Sequence, residues 1–488
     1  MDRLRALLRA ETVGDPSAND GVGPAAAAHF SAAHVALVEG WHRAAAASEG
    51  GAPERLGVGG WSLLWTWPGE DRTLTPLVLV SHMDVVPAGD HSAWTHPPFE
   101  ASVFPDPTAQ GGADHVWARG SVDAKGTAAA ALEAIEALLA LRNDDAWQPR
   151  RDVLLLVGHD EETGGRRGAA QVAQLLRQRY PRGLGAVIDE GGVVLDAGIQ
   201  GLASGPVALV GTSEKGWADV IVSATGGGGH ASMPPRGCGL ASTPTGAVGA
   251  LAARVARAGG GTLRLTAPVE DMLMTLGASR RAPAIVSLAL TLARWPIVGR
   301  LLARAVAASG AAAAAVVSDT LTVTEMTAGT GENVIPDTAR AVVSSRLLPG
   351  TTGQDVLNLV RGLARGLELD VSLAKEPWHP AAPVTSSDGA PFQLLAKAAQ
   401  AALGDDVLVA PFLLVAKTDS RHLADQTRHV LRFAPWRMPT QMDIQSRVHG
   451  VDERLAIADF HAGVHFYQRL IVALSTGVWE NNVTEDEL

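Results

Sequence analysis

LVLVSHMD, residues 77–84, is the stretch that decides the fold. It is a run of Leu and Val that ends in two polar residues, His82 and Asp84. Similar runs recur, and helical stretches separate them: DVLLLVGHDEE (152–162), GAVIDEGG (185–192), TAAAALEAIEALLALR (127–142) and RGAAQVAQLLRQRY (167–180). This alternation is typical of an α/β domain with a mostly parallel sheet. Because ligands bind beyond the carboxyl ends of such strands, we expect the polar residues there to form a site.

Length and composition limit the class of protein. With 488 residues, of which 47% are hydrophobic, the chain is large enough for two domains. A formal net charge of −11 provides no basic surface for nucleic acid, so we expect a small-molecule or short-peptide substrate. The single cysteine, Cys238, excludes an intrachain disulfide and a cysteine zinc site, and it favours a reducing, cytoplasmic location. Residues 1–20 lack the apolar core of a signal peptide.

A change of pattern near residue 214 predicts an inserted second domain. From there, strands and helices follow the order βαββαβ, which is that of a ferredoxin-like domain. From residue 377 the chain returns to alternating helices and strands. We therefore expect a catalytic domain formed by residues 1–213 and 377–488, with residues 214–376 inserted between its two parts.

The apolar tract at 282–317 resembles a membrane span in hydropathy only. It is interrupted by Arg294, Pro296, Arg300 and Arg304, which argues against a span across the bilayer. We expect a helical pair instead, buried or partly exposed.

Acidic residues or histidine end each of the three strands: His82 and Asp84, Glu161 and Glu162, Asp189 and Glu190. A fourth acid, Asp123, lies between glycines in GSVDAKG (120–126). Taken singly, Asp123 could be a helix cap and the glutamates could be solvated loop residues. His82 and Asp84 point to the same side of an extended strand, so one can bind a metal while the other orients it.

Together these carboxylates would repel one another at one edge of the sheet. Two divalent metal ions would relieve the repulsion, and one further acid would remain free as a general base. Asp123 could then bridge the two metals, because its glycine neighbours avoid side-chain crowding.

The residues resemble those of a known family, the di-zinc aminoacylases and carboxypeptidases, and especially its carboxypeptidase S and N-acyl-amino-acid hydrolase branch. The similarity follows the order of the chain: SHMDVVP (81–87), WTHPPFEA (94–101), ARGSVDAKG (118–126), GHDEETGG (158–165), IDEGG (188–192), GGGGHASMPP (226–235), NVIP (333–336), SSRLLPG (344–350), KTDSRHL (417–423) and RVHGVDE (447–453). It implies a zinc-peptidase-like catalytic domain, two zinc ions per subunit and an inserted lid or dimerisation domain.

The resemblance also implies roles for individual residues. The two implied ligand sets share one residue: His82, Asp123 and Asp189 for one metal, and Asp123, Glu162 and His449 for the other. The choice of Asp189 over Glu190 rests on the IDEGG pattern alone. Glu161 would be the general base, and Asp84 would orient His82.

Three more residues would contact the substrate. His230 matches a histidine that polarises the scissile carbonyl, and Asn333 matches a substrate-contacting residue. Arg346 has the chemistry to bind a substrate carboxylate through two hydrogen bonds. In dimeric relatives the first two reach the other subunit's site, which implies a homodimer formed through the inserted domain. The VAK sequence that ends at Lys417 departs from the glycines of many relatives, so the pocket wall there is expected to differ.

The implied activity is hydrolysis of an amide bond next to a free carboxylate. N-acyl-amino acids are favoured by the branch and by the apolar tract at 282–317, which would either line an acyl pocket or only pack in the core. A carboxypeptidase or dipeptidase activity on short peptides is the alternative. A non-catalytic binding protein on a peptidase fold is a third hypothesis, because fold alone does not fix function; the presence of every expected ligand argues against it.

Overall fold

The structure, a computed structural model, describes residues 1–108, 112–141, 147–235, 242–329, 331–374, 378–440, 444 and 447–476. Cys238 and the expected domain boundary at 376–377 lie outside these residues. The strands are β1 (Glu54–Leu56), β2 (Ser62–Trp67), β3 (Leu77–His82), β4 (Ser102–Pro105), β5 (Asp114–Trp117), β6 (Val153–Gly158), β7 (Ala186–Asp189), β8 (Val194–Leu195), β9 (Val207–Glu214), β10 (Gly216–Thr225), β11 (Gly229–His230), β12 (Thr320–Ala328), β13 (Val334–Ile335), β14 (Thr338–Leu347), β15 (Asp370–Leu373), β16 (Leu408–Leu414), β17 (Val430–Arg432), β18 (Arg437–Met438) and β19 (Arg454–Ala456).

The α-helices are α1 (Asp2–Leu8), α2 (Gly23–Gly40), α3 (His42–Ala47), α4 (Lys125–Ala140), α5 (Ala169–Arg179), α6 (Pro244–Ala258), α7 (Ala267–Ala278), α8 (Ala284–Thr291), α9 (Pro296–Ala308), α10 (Ala311–Val317), α11 (Gly353–Leu363), α12 (Ala390–Leu403) and α13 (Ile457–Thr476). A 3₁₀ helix, Glu161–Thr163, follows β6, and another, Asp419–His422, follows β16.

The central sheet has the order β1-β2-β6-β3-β7-β17-β9-β8-β18, with β16 beside β9. Its centre, β6-β3-β7-β17, is parallel, and antiparallel strands flank it. The prediction of an α/β domain with a mostly parallel central sheet is therefore confirmed. The strands that carry the polar motifs, β3, β6 and β7, are neighbours, so their carboxyl ends meet.

Alternation along the central strands divides their side chains between two cores. Leu79 and Leu155 pack on one face with α4 and α13, whereas Val80 and Leu156 pack on the other face with α5. Every side chain of β3 and β6 is buried, as expected for parallel strands that are covered on both faces. The alanine-rich face of α4 lets this helix lie between β3 and α13.

A second, four-stranded antiparallel sheet has the order β12-β14-β10-β15. Helices α6 and α11 cover one of its faces, where residues such as Val220, Leu251 and Val360 form a separate core. The succession β10-α6-β12-β14-α11-β15 is the expected βαββαβ order. The limits of this inserted domain and its role as a lid or dimerisation domain stay predictions.

Helices α7 to α10 lie in the chain between α6 and β12, yet buried residues from all four belong to the core of the central sheet. Met272 and Leu276 of α7 and Val316 of α10 belong to the core of the central sheet, and α7 contacts β16 and β9. Helices α8 and α9 form a pair bent by 119°. Among the described residues no single helix has the length and hydropathy to cross a membrane, and only this bent pair does when taken together.

Replacement of Leu79 by Ala tests the buried centre of the sheet. The side chain is 2% exposed, so the cavity left by truncation should lower the free energy of unfolding by about 2–5 kcal/mol. Val35, which is 52% exposed on α2, provides the control, and Val35→Ala should change stability by less than about 0.5 kcal/mol. Urea unfolding followed by circular dichroism measures both; equal midpoints for the two variants would contradict the packing of β3.

Candidate metal centre and active site

Asp123 lies at the centre of the candidate site, between two histidines. Its Oδ1 is 3.0 Å from Nε2 of His82, and its Oδ2 is 3.1 Å from Nε2 of His449. His82 ends β3, Asp123 precedes α4, and His449 comes from a loop near the other end of the chain. One carboxylate therefore faces two imidazoles with its two oxygens, which is the arrangement expected of a bridging ligand.

Each imidazole has a second carboxylate beside it. Oε1 of Glu190 is 3.2 Å from Nε2 of His82, and Oε2 of Glu162 is 3.2 Å from Nε2 of His449. The other oxygen of Glu162 is buried and has no hydrogen-bond partner among the described residues. Two groups of donors result, and they share Asp123.

Glu190, and not Asp189, is directed toward His82, so the geometry favours Glu190 as the candidate ligand there, and the assignment of Asp189 as a metal ligand stays a prediction. Oδ2 of Asp189 accepts a 2.7 Å hydrogen bond from the backbone N–H of Ser420, and its Oδ1 accepts one of 2.9 Å from the N–H of Glu190. Asp189 is thus committed to holding the loop that follows β16. Glu190 is one residue beyond β7, where the chain has left the sheet, so strand alternation gave no guide to its direction.

Glu453 holds the loop that carries Asp123, and sequence reasoning gave it no role although it lies in the RVHGVDE motif. Its two buried oxygens accept hydrogen bonds from the backbone N–H groups of Gly120, Val122 and Asp123, at 3.0, 2.8 and 3.1 Å. A guanidinium N–H of Arg119 donates to the same carboxylate at 2.7 Å. Gly120 has φ +84°, which favours glycine. Gly120 therefore allows the backbone turn before Asp123, in addition to avoiding side-chain crowding near the site.

Asp84 connects His82 to the adjacent glutamates. The backbone carbonyl of Asp84 accepts a 2.9 Å hydrogen bond from Nδ1 of His82, which leaves Nε2 as the lone-pair nitrogen of the neutral ring. The Asp84 carboxylate, 3.5 Å from Nδ1, accepts from the backbone N–H groups of Glu161 and Glu162 at 3.2 and 3.0 Å. Asp84 thus fixes an imidazole and a pair of glutamates at once.

The electrostatics of the cluster reflect its crowded negative charge. Burial, together with the charge of Asp123, raises the pKa of Glu190 to about 8. Burial likewise raises the pKa of Glu161 well above its usual range, and Glu190 and Glu162 add to the effect. Hydrogen bonds to Asp123 and Glu162 raise the pKa of His449 to about 10. With protein groups alone, the cluster holds protons to limit the repulsion.

These donors fit divalent metal ions. Oxygen and imidazole nitrogen atoms of His82, Asp123 and Glu162 lie within 4.8 Å of one another, as do those of His82, Glu161 and Glu190. Carboxylates and imidazoles are the ligands that zinc and similar ions take in the absence of cysteine. One oxygen of Glu162 is buried and has no partner among the described residues, and the pKa values of Glu161 and Glu190 are raised when no cation is present. Both features fit a site in which metal ions take the place of protons.

An apolar cavity of about 280 Å³ opens beside the carboxylates. Charged groups, which include Glu161, Glu190 and Lys417, form part of its lining. The apolar part of the lining comes from the central sheet, from α10, from the loops beyond β7, β16 and β17, and from the segment before His449: Val193, Leu195, Leu209, Ala312, Val316, Phe412, Leu414, Val415, Trp436, Ile444 and Val448. The tract at 282–317 therefore contributes both to the core and to a pocket wall, the two alternatives that the sequence left open.

Lys417, which lines the cavity, lies near two further basic groups, Arg346 and Arg421. The Nη1 atom of Arg346 is buried and has no hydrogen-bond partner in the described part of the chain. Lys417 lies with its ammonium 4.8 Å from the centre of the Trp217 ring; burial and the positive charges of Arg346 and Arg421 lower its pKa to about 8. Arg421 is also 3.9 Å from Glu161. Of these residues, Arg346 and, as a departure from the family pattern, Lys417 were expected from the sequence.

His230 and Asn333 are neighbours, but among the described residues neither has a hydrogen bond or ion pair with the carboxylate cluster. His230 lies in β11, where its Nδ1 accepts from the hydroxyl of Ser232 at 2.7 Å, and it is exposed. The backbone carbonyl of Asn333 accepts from the N–H of Ala231 at 2.9 Å. Their roles in catalysis and substrate binding stay predictions.

Comparison with known proteins identifies the family of the chain. The sequence profile of Peptidase family M20/M25/M40 matches residues 78–473, which is most of the chain and spans all the residues of the site. The chain belongs to peptidase family M20/M25/M40. A probable carboxypeptidase S-like 2 of Dictyostelium discoideum is 32% identical over 418 residues, which cover 85% of this chain and 74% of the relative.

Other relatives carry different names. An N-fatty-acyl-amino acid synthase/hydrolase of Xenopus tropicalis is 33% identical over 416 residues, with 85% of this chain and 75% of the relative covered. In fold, the chain is similar to the M20 family metallo-carboxypeptidase Sso-CP2 from Sulfolobus solfataricus, with a TM-score of 0.64, 16% identity, and 97% and 98% of the two chains covered. As a member of the M20 family, the chain is a metal-dependent hydrolase, as its sequence indicated.

Metal content tests the assignment of Glu190. Glu190→Gln removes a charged ligand and should weaken retention of one metal by at least tenfold, whereas Asp189→Asn leaves the donors beside His82 in place. Dialysis against graded chelator, followed by plasma mass spectrometry of the bound metal, measures both. Greater metal loss in Asp189→Asn than in Glu190→Gln would support Asp189 as the ligand and contradict Glu190.

Proposed function

We propose that the protein hydrolyses N-acyl-amino acids with a long or bulky apolar acyl group, and that it does so with two zinc ions. The observation that carries this proposal is the apolar cavity beside the carboxylate cluster. Its volume of about 280 Å³ is near the lower end of the usual range for ligand pockets, ~300–1,000 Å³. An acyl chain would bury its apolar surface there, with its amide bond beside the charged groups.

The basic groups around Lys417 supply the recognition of a carboxylate. Arg346 offers a buried N–H that lacks a partner among the described residues, and a buried donor without a partner favours a charged acceptor. Lys417 adds a second cation to the pocket wall. A free α-carboxylate next to the scissile amide would satisfy both, which distinguishes an acyl-amino acid from a simple amide.

The chemistry assigned to this chain's own residues centres on Glu161. When bound, divalent metal ions held by His82, Asp123, Glu190, Glu162 and His449 supply Lewis acidity that polarises the amide carbonyl and acidifies a water. Glu161 takes the proton from the attacking water and passes it to the leaving amine nitrogen, so that the amide C–N bond breaks and a carboxylic acid and an amine are released. Asp84 holds the backbone of Glu161 and the ring of His82 in place for this transfer.

A carboxypeptidase or dipeptidase activity is the second candidate, because the relatives include carboxypeptidase S-like proteins and the basic groups would bind the C-terminal carboxylate of a peptide equally well. The dimer is also a proposal: β12 is an exposed edge of the second sheet, and the exposed His230 and Asn333 would then serve another subunit's site. A cytoplasmic location is supported by the cysteine count alone.

Replacement of Glu161 by Gln tests the acid/base role. The variant keeps the size of the side chain but cannot accept a proton, so kcat should fall by ~10²–10⁴-fold while both metals remain bound. Amine release from N-acyl-amino acids by the zinc-loaded protein is the measurement, and Glu39→Gln, at an exposed position of α2, is the matched control. Full activity with full metal content in Glu161→Gln would refute the assignment.

Ala312→Phe tests the acyl pocket. Ala312 lines the cavity, so a phenyl ring there should lower kcat/KM for a long-chain N-acyl-amino acid by roughly tenfold or more and leave an N-acetyl substrate nearly unchanged. Ala311→Phe, one residue away at an exposed position of α10, is the control. An equal loss for both chain lengths would show that the cavity does not hold the acyl group, and faster turnover of dipeptides than of any acyl substrate would favour the peptidase.

A further inference from the structure

The outer side of α8 and α9 exposes large apolar side chains. Ile285, Leu288, Trp295, Ile297 and Leu301 are 85%, 63%, 64%, 75% and 59% exposed, and they are here called the α8–α9 surface. On α9 the opposite side is turned inward, where Gly299 and Ala303 are buried. A helix that presents its apolar residues to solvent at this density marks an interaction surface.

The charge of this region is opposite to that of the whole chain. Residues 272–318 contain five arginines and no Asp or Glu, in a chain with a formal net charge of −11. Arg300 and Arg304 are exposed and lie at spacings of three and seven from Ile297, on the same face of α9. In the part of the chain that the structure describes, neither makes an ion pair with an acidic group.

From this combination we infer that the α8–α9 surface binds an anionic lipid surface. Short helices with Trp and aliphatic side chains beside arginines are typical of segments that lie in the interface between headgroups and acyl chains. The 13 residues of α9 span only ~20 Å, and the 119° bend between α8 and α9 keeps the pair from forming one straight helix. The arginines would remain at the level of the phosphates.

A second copy of the chain fits this surface less well. A two-fold contact places the same patch of each subunit against the other, so Arg300 and Arg304 would meet arginines without an acidic partner from the patch. An anionic headgroup layer supplies the missing negative charge. The inference does not depend on the proposed reaction, although α10, the next helix, lines the apolar cavity.

Vesicle co-sedimentation of the full-length protein tests the inference. The protein should bind vesicles that contain phosphatidylglycerol more tightly than vesicles of phosphatidylcholine alone, and added salt should weaken the binding. Ile297→Ser/Leu301→Ser and Arg300→Gln/Arg304→Gln should each lower partitioning by on the order of tenfold. The matched controls, Val35→Ser/Val58→Ser and Arg182→Gln/Arg257→Gln, change exposed residues outside the surface and should bind as the wild type does.

Two further measurements keep the result decisive. Thermal unfolding shows whether each variant is folded, and quenching of tryptophan fluorescence by brominated lipid should be weaker in Trp295→Phe than in the wild type. Equal binding of surface and control variants, or no preference for anionic vesicles, would overturn the inference. So would a wild-type dimer, seen by light scattering, that Ile297→Ser/Leu301→Ser converts to a monomer without any change in vesicle binding.

Discussion

Electrostatic repulsion among carboxylates at one end of the central sheet is the constraint on which the rest of the site depends. Asp123, Glu162 and Glu190 come within reach of the same two imidazoles, and strand order alone brings most of them there. The loops that carry the cluster are held by hydrogen bonds: their backbone N–H groups donate to the carboxylates of Asp84 and Glu453. Those donors fix the acids in place, and divalent cations compensate the charge that the protein leaves uncompensated.

The apolar part of the cavity lining shows how a common fold acquires a particular pocket. Helix α10, which lies in the chain between α6 and β12, places Ala312 and Val316 against walls built from the central sheet. The insertion thus gains stability by packing on the core and, with the same residues, changes the shape of the space beside the reacting groups. Packing and specificity are supplied here by one segment, which is why the sequence alone could not choose between them.

The fold could be predicted from the sequence because strand ends of a parallel sheet have a fixed direction. His82, Asp123, Glu162 and His449, which only the family resemblance implied as ligands, lie together in the structure, and their roles as ligands stay predictions. The sequence could not choose between Asp189 and Glu190, because they are adjacent acids at a strand end. Only the tertiary structure shows that Asp189 accepts a hydrogen bond from the N–H of Ser420. Sequence reasoning had no means of finding Glu453 as the support of a loop more than 300 residues earlier, because that contact depends on tertiary structure.

The bond between Glu453 and the Asp123 loop has a consequence for the order of assembly. Val122, whose N–H donates to Glu453, is 331 residues from it in the sequence, and the strands of the second sheet lie between the two in the chain. During synthesis from the N-terminus, the strands and most of the acids are made long before the residue that positions Asp123, and His449 comes almost as late. A nascent or truncated chain therefore lacks a complete centre. Hydrolysis requires that the segment with His449 and Glu453 has packed against the loop that carries Asp123.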